Sequence, residues 1–197
     1  MNTRWALLAA LLPYVVWLIF GYRYHFLDGV NLLLHEAGHV FFGIFGQTLQ
    51  FLGGTLGQLL FPALFVGYFW WRRQRFEAFL VAIWFAESLM YTAEYMADAQ
   101  RMALPLVGGG IHDWNWLFTR WGMLEHAEEL GNHLHALASL FAIVALLGAG
   151  WVLRQEASVA SPPKSWPPNL TSSKPNRRRR AGRAAATPER SVTERIT

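Results

Sequence analysis

Apolar residues along the chain collect into five long runs, at residues 5–21, 29–46, 51–71, 76–98 and 133–153. A helix needs about 20 apolar residues to cross the hydrocarbon core of a bilayer. Each run therefore predicts a transmembrane helix, and together they predict an all-α polytopic bundle of about five spans. The fourth and fifth runs are interrupted by acids and histidines. The first run follows Arg4 but is as long as a span, has no small-residue cleavage site and leads into Tyr22-Arg23-Tyr24, so it predicts a retained helix rather than a signal peptide. The connection 99–132 carries Pro105 and Gly108-Gly109-Gly110; within it, Asp113 to Leu130 predicts a further helix with Asp113 as its N-cap.

The apolar pattern stops at 153. Residues 154–197 are rich in Pro, Ser, Ala and Arg, and hold ten of the seventeen basic side chains, including Arg177-Arg178-Arg179-Arg180. This composition predicts a disordered basic tail after a helical domain at 1–153. Beside a membrane domain such a run marks the cytoplasmic side or contacts anionic lipid, and no specific nucleic acid is expected as partner. Basic loops stay in the cytoplasm. Arg72, Arg73 and Arg75 and the tail then share that side, which puts the N-terminus and the 99–132 connection outside. The expected location is the inner membrane of a bacterium.

Composition agrees. Hydrophobic residues make up 53% and charged residues 15% of the chain, against about 25% charge in soluble domains. There is no cysteine, which excludes disulfides, thiolate catalysis and Cys-ligated zinc. A metal must be held by His, Asp or Glu.

The second run supplies such ligands in His35-Glu36-Ala37-Gly38-His39. On a helix, imidazoles at i and i+4 share one face and converge on one Zn²⁺, and the intervening glutamate is placed to take a proton from a metal-bound water. Charged groups in a span cost about 2.5–3.5 kcal/mol each, and a shared metal is the simplest partner for two buried histidines.

Leu34-His35-Glu36-Ala37-Gly38-His39-Val40 with Gly43 resembles the signature helix of the site-2-protease-type intramembrane zinc metallopeptidases, in particular the small bacterial members without extra domains. The resemblance implies that His35 and His39 bind zinc, that Glu36 is the general base, that a later aspartate completes the site, and that the substrate is a membrane protein cleaved in or near the bilayer. The run His112-Asp113-Trp114-Asn115-Trp116-Leu117 is similar to the family's later motif and nominates Asp113. The family's more usual Asp-Gly pair is absent there; Leu27-Asp28-Gly29 carries one, but it precedes the zinc helix and reads as coincidence.

Catalytic zinc takes three protein ligands and a water. Asp113 is the favoured third ligand, with His112 as the alternative and Asp113 then its hydrogen-bond acceptor. Glu87, Tyr91, Glu94 and Asp98 share one face of the fourth run. Gln58, Glu94 and His133 are candidates to orient ligands or substrate, and Gly53, Gly54 and Gly57 allow close helix approach. His126, Glu129 and His133 at i, i+3 and i+7 leave open a second metal, and with it a metal-dependent hydroxylase or lipid hydrolase. A non-catalytic metal-binding membrane protein is the remaining alternative.

Overall fold

The computed structural model describes residues 3–107 and 110–160. Its regular structure among these residues is helical: α1 (Thr3–Phe20), α2 (Phe26–Phe42), α3 (Gln47–Trp71), α4 (Arg75–Ala97), α5 (Asp113–Trp121) and α6 (Ala127–Ala160). Two 3-10 turns, Gly43–Phe45 and Leu124–His126, follow α2 and precede α6. α4 is the central post and touches each of the other five helices.

Local chemistry sets the helix ends. Asp28 reaches back to accept the His25 backbone N–H at 2.6 Å, opening α2. Asp98 closes α4 and turns the chain by accepting Ala103 N–H at 3.0 Å and Leu104 N–H at 2.9 Å. At α5 the cap is His112, not Asp113: His112 Nδ1 accepts the Asn115 N–H at 3.2 Å, and Asp113 is the first helical residue. Gly122 ends α5 in the left-handed region, at φ 69°, where glycine carries no Cβ penalty. The helix expected from Asp113 to Leu130 is therefore broken at Gly122. The last helix starts at Ala127 and runs to Ala160, so residues 154–160 are helical instead of belonging to the expected tail. The rest of that tail, with its basic run, lies outside the described residues.

Packing between α2 and α3 is backbone on backbone. A Cβ on Gly38 would lie 2.1 Å from the Gly53 carbonyl oxygen, and one on Gly54 would lie 2.4 Å from His35 Nε2. Small residues let these helices close up, and Gly54 leaves the space that the His35 ring fills. On the other side of α4, Ala138, Ala142 and Ala145 of α6 pack with Ile83, Ala86 and Met90 of α4 and Val15 and Leu18 of α1.

Among the described residues, four helical segments are long and apolar enough to cross a membrane: Thr3–Phe20, Gln47–Trp71, Arg75–Ala97 and Leu124–Val159. The zinc-motif run is the exception. α2 has 17 residues and buries Asp28, Asn31 and His35 among them. Its direction is informative as well. His35 of α2 meets Gln58 of α3 while His39 meets Gln50, so α2 and α3 are antiparallel. Gln58 meets Thr92 of α4 and Trp70 meets Phe79, so α3 and α4 are antiparallel too. α1 pairs with α6 through Ile19–His135 and Arg4–Glu156, and α6 runs opposite to α4, with Gly131 against Ala97 and Gly148 against Phe79. α1 and α2 thus both run parallel to α4, and α2 is not the return leg of α1.

This geometry also corrects the expected position of the N-terminus. Arg4 binds Glu77 at the start of α4 at 2.6 Å and Glu156 near the end of α6 at 3.0 Å. The start of α1 therefore shares an end of the bundle with the Arg72–Arg75 link and the end of α6. Large apolar side chains face outward from α2, α3 and α6, among them Leu33, Val40, Leu64, Leu140 and Leu147.

Candidate metal centre

His35 sits in the middle of α2 on the face buried against α3. Its Nδ1 lies 2.9 Å from Gln58 Oε1. The Gln58 amide is oriented by its own donors, which reach Thr92 Oγ1 at 2.7 Å and the Ser88 carbonyl at 3.2 Å. With its oxygen thus turned to His35, Gln58 accepts from Nδ1–H and leaves Nε2 free. One turn on, His39 Nδ1 donates to the Gln50 carbonyl at 2.7 Å. Both imidazoles are held by their far nitrogens, the arrangement that orients metal-ligating histidines.

The free nitrogens converge. His35 Nε2 is 2.9 Å and His39 Nε2 3.2 Å from the same Asp113 oxygen, Oδ2. The three donor atoms lie within 4.8 Å of one another. Tetrahedral zinc with bonds of about 2.1 Å spaces its ligands by about 3.4 Å, so shifts of a few tenths of an ångström would seat an ion. The donor set, two imidazoles and a carboxylate, fits Zn²⁺.

Asp113 is brought there by the helix start that His112 caps. Tyr95 of α4 steadies it twice: the hydroxyl accepts Asp113 N–H at 3.1 Å and donates to Oδ2 at 3.3 Å. Burial pushes the Asp113 carboxyl up, but the hydrogen bonds and charges of His35 and His39 outweigh it and hold the group below its ordinary value. His112, the alternative ligand, is turned away. Its Nε2 is 3.6 Å from Asp98 Oδ2 and its ring stacks on Tyr95 at 4.1 Å. Burial lowers its pKa against the opposing pull of Asp98 and Asp113. His112 supports Asp113 by holding the helix start and stacking on the Tyr95 ring.

A cavity of about 490 Å³ opens on the centre. Glu36, His35, His39 and Asp113 form its polar wall, with Tyr91 and Tyr95 beside them, while Leu104, Leu106, Val107 and Ile111 make an apolar wall opposite. Glu36 is exposed to this space. The remaining candidates lie elsewhere. Glu94 faces a smaller crevice of about 210 Å³ with Tyr22, Asn132 and His135. His126 and Glu129 form an exposed pair at 3.5 Å, and His133 is exposed on α6. Asp98 serves the turn after α4. Gln58 and Asp113 join the histidine pair; Glu94 and His133 do not, and His126 and Glu129, candidates for a second metal, lie apart from it.

Sequence reasoning passed over Tyr95, and also a buried group around Asn31, whose amide donates to Glu87 at 3.0 and 2.8 Å. An asparagine one turn before His35 within an apolar run was the available signal, since a polar residue there requires a partner. No protein family, curated protein or solved structure matches the chain.

Proposed function

We propose that the chain is a membrane-embedded zinc metallopeptidase of the site-2-protease type, hydrolysing a peptide bond of a membrane-protein substrate in or near the bilayer. The observation that carries this reading is the meeting of His35 Nε2 and His39 Nε2 on Asp113 Oδ2 at the wall of a cavity that also holds Glu36. When bound, zinc lowers the pKa of a coordinated water to about 7 and polarises a carbonyl. The chain's own residues do the rest. His35, His39 and Asp113 hold the ion, with Gln58 and the Gln50 carbonyl fixing the ring tautomers. Glu36 takes the water's proton and passes it to the leaving amine. The apolar wall from Leu104 to Ile111 receives apolar substrate side chains.

The reading extends to topology. The chain crosses the bilayer four times, α1 and α2 together forming the first passage, with Arg4, the Arg72–Arg75 link and the tail on the cytoplasmic side. The zinc centre then lies in the half of the bundle away from those arginines. The hydroxylase and lipid-hydrolase alternatives draw on additional histidines, and the exposed positions of His126, before α6, and His133, on α6, favour the single-metal reading over them.

Glu36→Gln tests the assignment. The variant should keep zinc and lose cleavage of a single-span reporter by about 10²- to 10⁴-fold, the usual contribution of a general base. Cleavage at the wild-type rate would overturn the role of Glu36, and a zinc-loaded wild type without hydrolytic activity would leave the non-catalytic metal-binding alternative.

A further inference from the structure

A second convergence of side chains of metal-ligating type lies about two helical turns before the first along α2. His25 in the α1–α2 link, Asp28 in the first turn of α2 and Glu87 in the middle of α4 present an imidazole nitrogen and two carboxylate oxygens, all within 4.8 Å of one another. Asp28 and Glu87 are both at 0% exposure, and their carboxylate oxygens face one another within 4.8 Å. The cavity at the zinc centre and the crevice at Glu94 are lined by none of the three.

The surroundings repeat the construction of the zinc centre. His25 Nδ1 is 2.6 Å from Asp28 Oδ2, while its far nitrogen, Nε2, is held 2.8 Å from the Tyr14 hydroxyl. This matches His35, held at Nδ1 by Gln58 and presented through Nε2 to Asp113. The carboxyls are oriented from behind as well. Tyr22 donates to Asp28 Oδ1. Asn31 Nδ2 donates to both oxygens of Glu87, and Asn31 Oδ1 accepts from Trp84 Nε1 at 2.9 Å. Partners that hold ligands by their outer atoms are a hallmark of metal sites.

Charge balance points the same way. Two carboxyls in contact and out of solvent cannot both be ionised unless a cation stands between them. A proton neutralises one of them. A divalent ion neutralises both and engages the imidazole.

We propose that His25, Asp28 and Glu87 form a second, closed site for a divalent transition-metal ion, separate from the zinc centre. One imidazole and two carboxylates suit Zn²⁺, Mn²⁺ or Fe²⁺. Tetrahedral spacing of about 3.4 Å requires His25 Nδ1 and Asp28 Oδ2 to part from their present 2.6 Å. On loading, the ion takes the place of the proton between the carboxyls, which leaves with solvent. The absence of these residues from both cavities makes the role structural: the ion is taken up as the chain folds and pins the α1–α2 link to α4.

The test is zinc content per chain of the full-length protein, purified in detergent after growth with zinc and measured before and after an EDTA wash. Wild type should carry two zinc ions and lose one to EDTA. Glu87→Gln and Asp28→Asn should carry one, lost to EDTA; His35→Ala/His39→Ala should carry one, resistant to it. Wild type with a single zinc that EDTA removes, or Glu87→Gln with the wild-type zinc content, overturns the proposal; a single EDTA-resistant zinc in wild type supports it and counts against the other centre. Should Glu87→Gln fail to fold, His25→Gln in the link replaces it, with the same two outcomes. The double-histidine variant separates this site from the peptidase reading, because a zinc retained there does not depend on the other centre.

Discussion

The two histidine–carboxylate groups in this bundle share an element and differ in access. At the upper group His35, His39 and Asp113 stand at the wall of a 490 Å³ cavity, with Glu36 exposed beside them. At the lower group Asp28 and Glu87 are fully buried and His25 is half-buried, and Tyr22, Asn31 and Tyr14 hold them by hydrogen bonds. An open position and an accessible carboxylate suit turnover, and buried carboxyls away from the cavity suit stability. α2 carries both, its first turn committed to holding the fold and its later turns to the cavity.

That contrast can be broken most forcefully by truncating one acid from each group. Glu87→Ala leaves the Asn31 Nδ2 donor without its acceptor in the interior and should destabilise the protein by about 1–3 kcal/mol, the cost of a buried unsatisfied polar group. Glu36→Ala, on an exposed site, should shift stability by no more than about 0.5 kcal/mol. Thermal unfolding in detergent measures both, and equal losses would erase the distinction. A smaller effect sharpens the account of the upper group. Gln58→Leu removes the acceptor of His35 Nδ1–H and should weaken zinc binding by about 10- to 100-fold, read by competition with a chromophoric chelator while the helical signal persists. Smallest is Tyr95→Phe. It removes a long 3.3 Å donor to Asp113 and should weaken zinc by about 10-fold or less in the same assay, with an effect above that of Gln58→Leu contradicting the ranking.

Much of the upper group was legible in the sequence because its chemistry is local. His35, Glu36 and His39 lie within five residues, and helical periodicity alone puts both imidazoles on one face. Asp113 could be nominated from its run, yet its rival His112 stood one residue away. Only the cap geometry, with His112 Nδ1 taken by the Asn115 N–H, separates them. The lower group was hidden for the opposite reason. Its ligands come from a link, a first helical turn and a helix 56 positions past Asn31, a distance at which no spacing rule operates, and Asp28 read as a chance neighbour of Gly29.

The fold was legible in its class but not in its passes. Run 29–46 has the length and apolarity of a span, but its helix ends at Phe42 before the Gly43–Phe45 turn and buries polar groups lower down. Its direction follows from pairings such as His35–Gln58, which hydropathy does not encode. Charge placed the Arg72–Arg75 link with the tail and the N-terminus opposite them. The Arg4–Glu77 and Arg4–Glu156 bridges instead put Arg4 at the same end of the bundle as that link.

The central claim is that Asp113, not His112, completes a zinc centre with His35 and His39. It is tested most directly by measuring zinc affinity in Asp113→Asn beside His112→Asn, the second of which preserves a capping side chain at the start of α5. The account predicts that Asp113→Asn loses zinc by more than the roughly 100-fold expected for an outer partner, and that His112→Asn stays within that limit. Zinc retained by Asp113→Asn and lost from His112→Asn would contradict it.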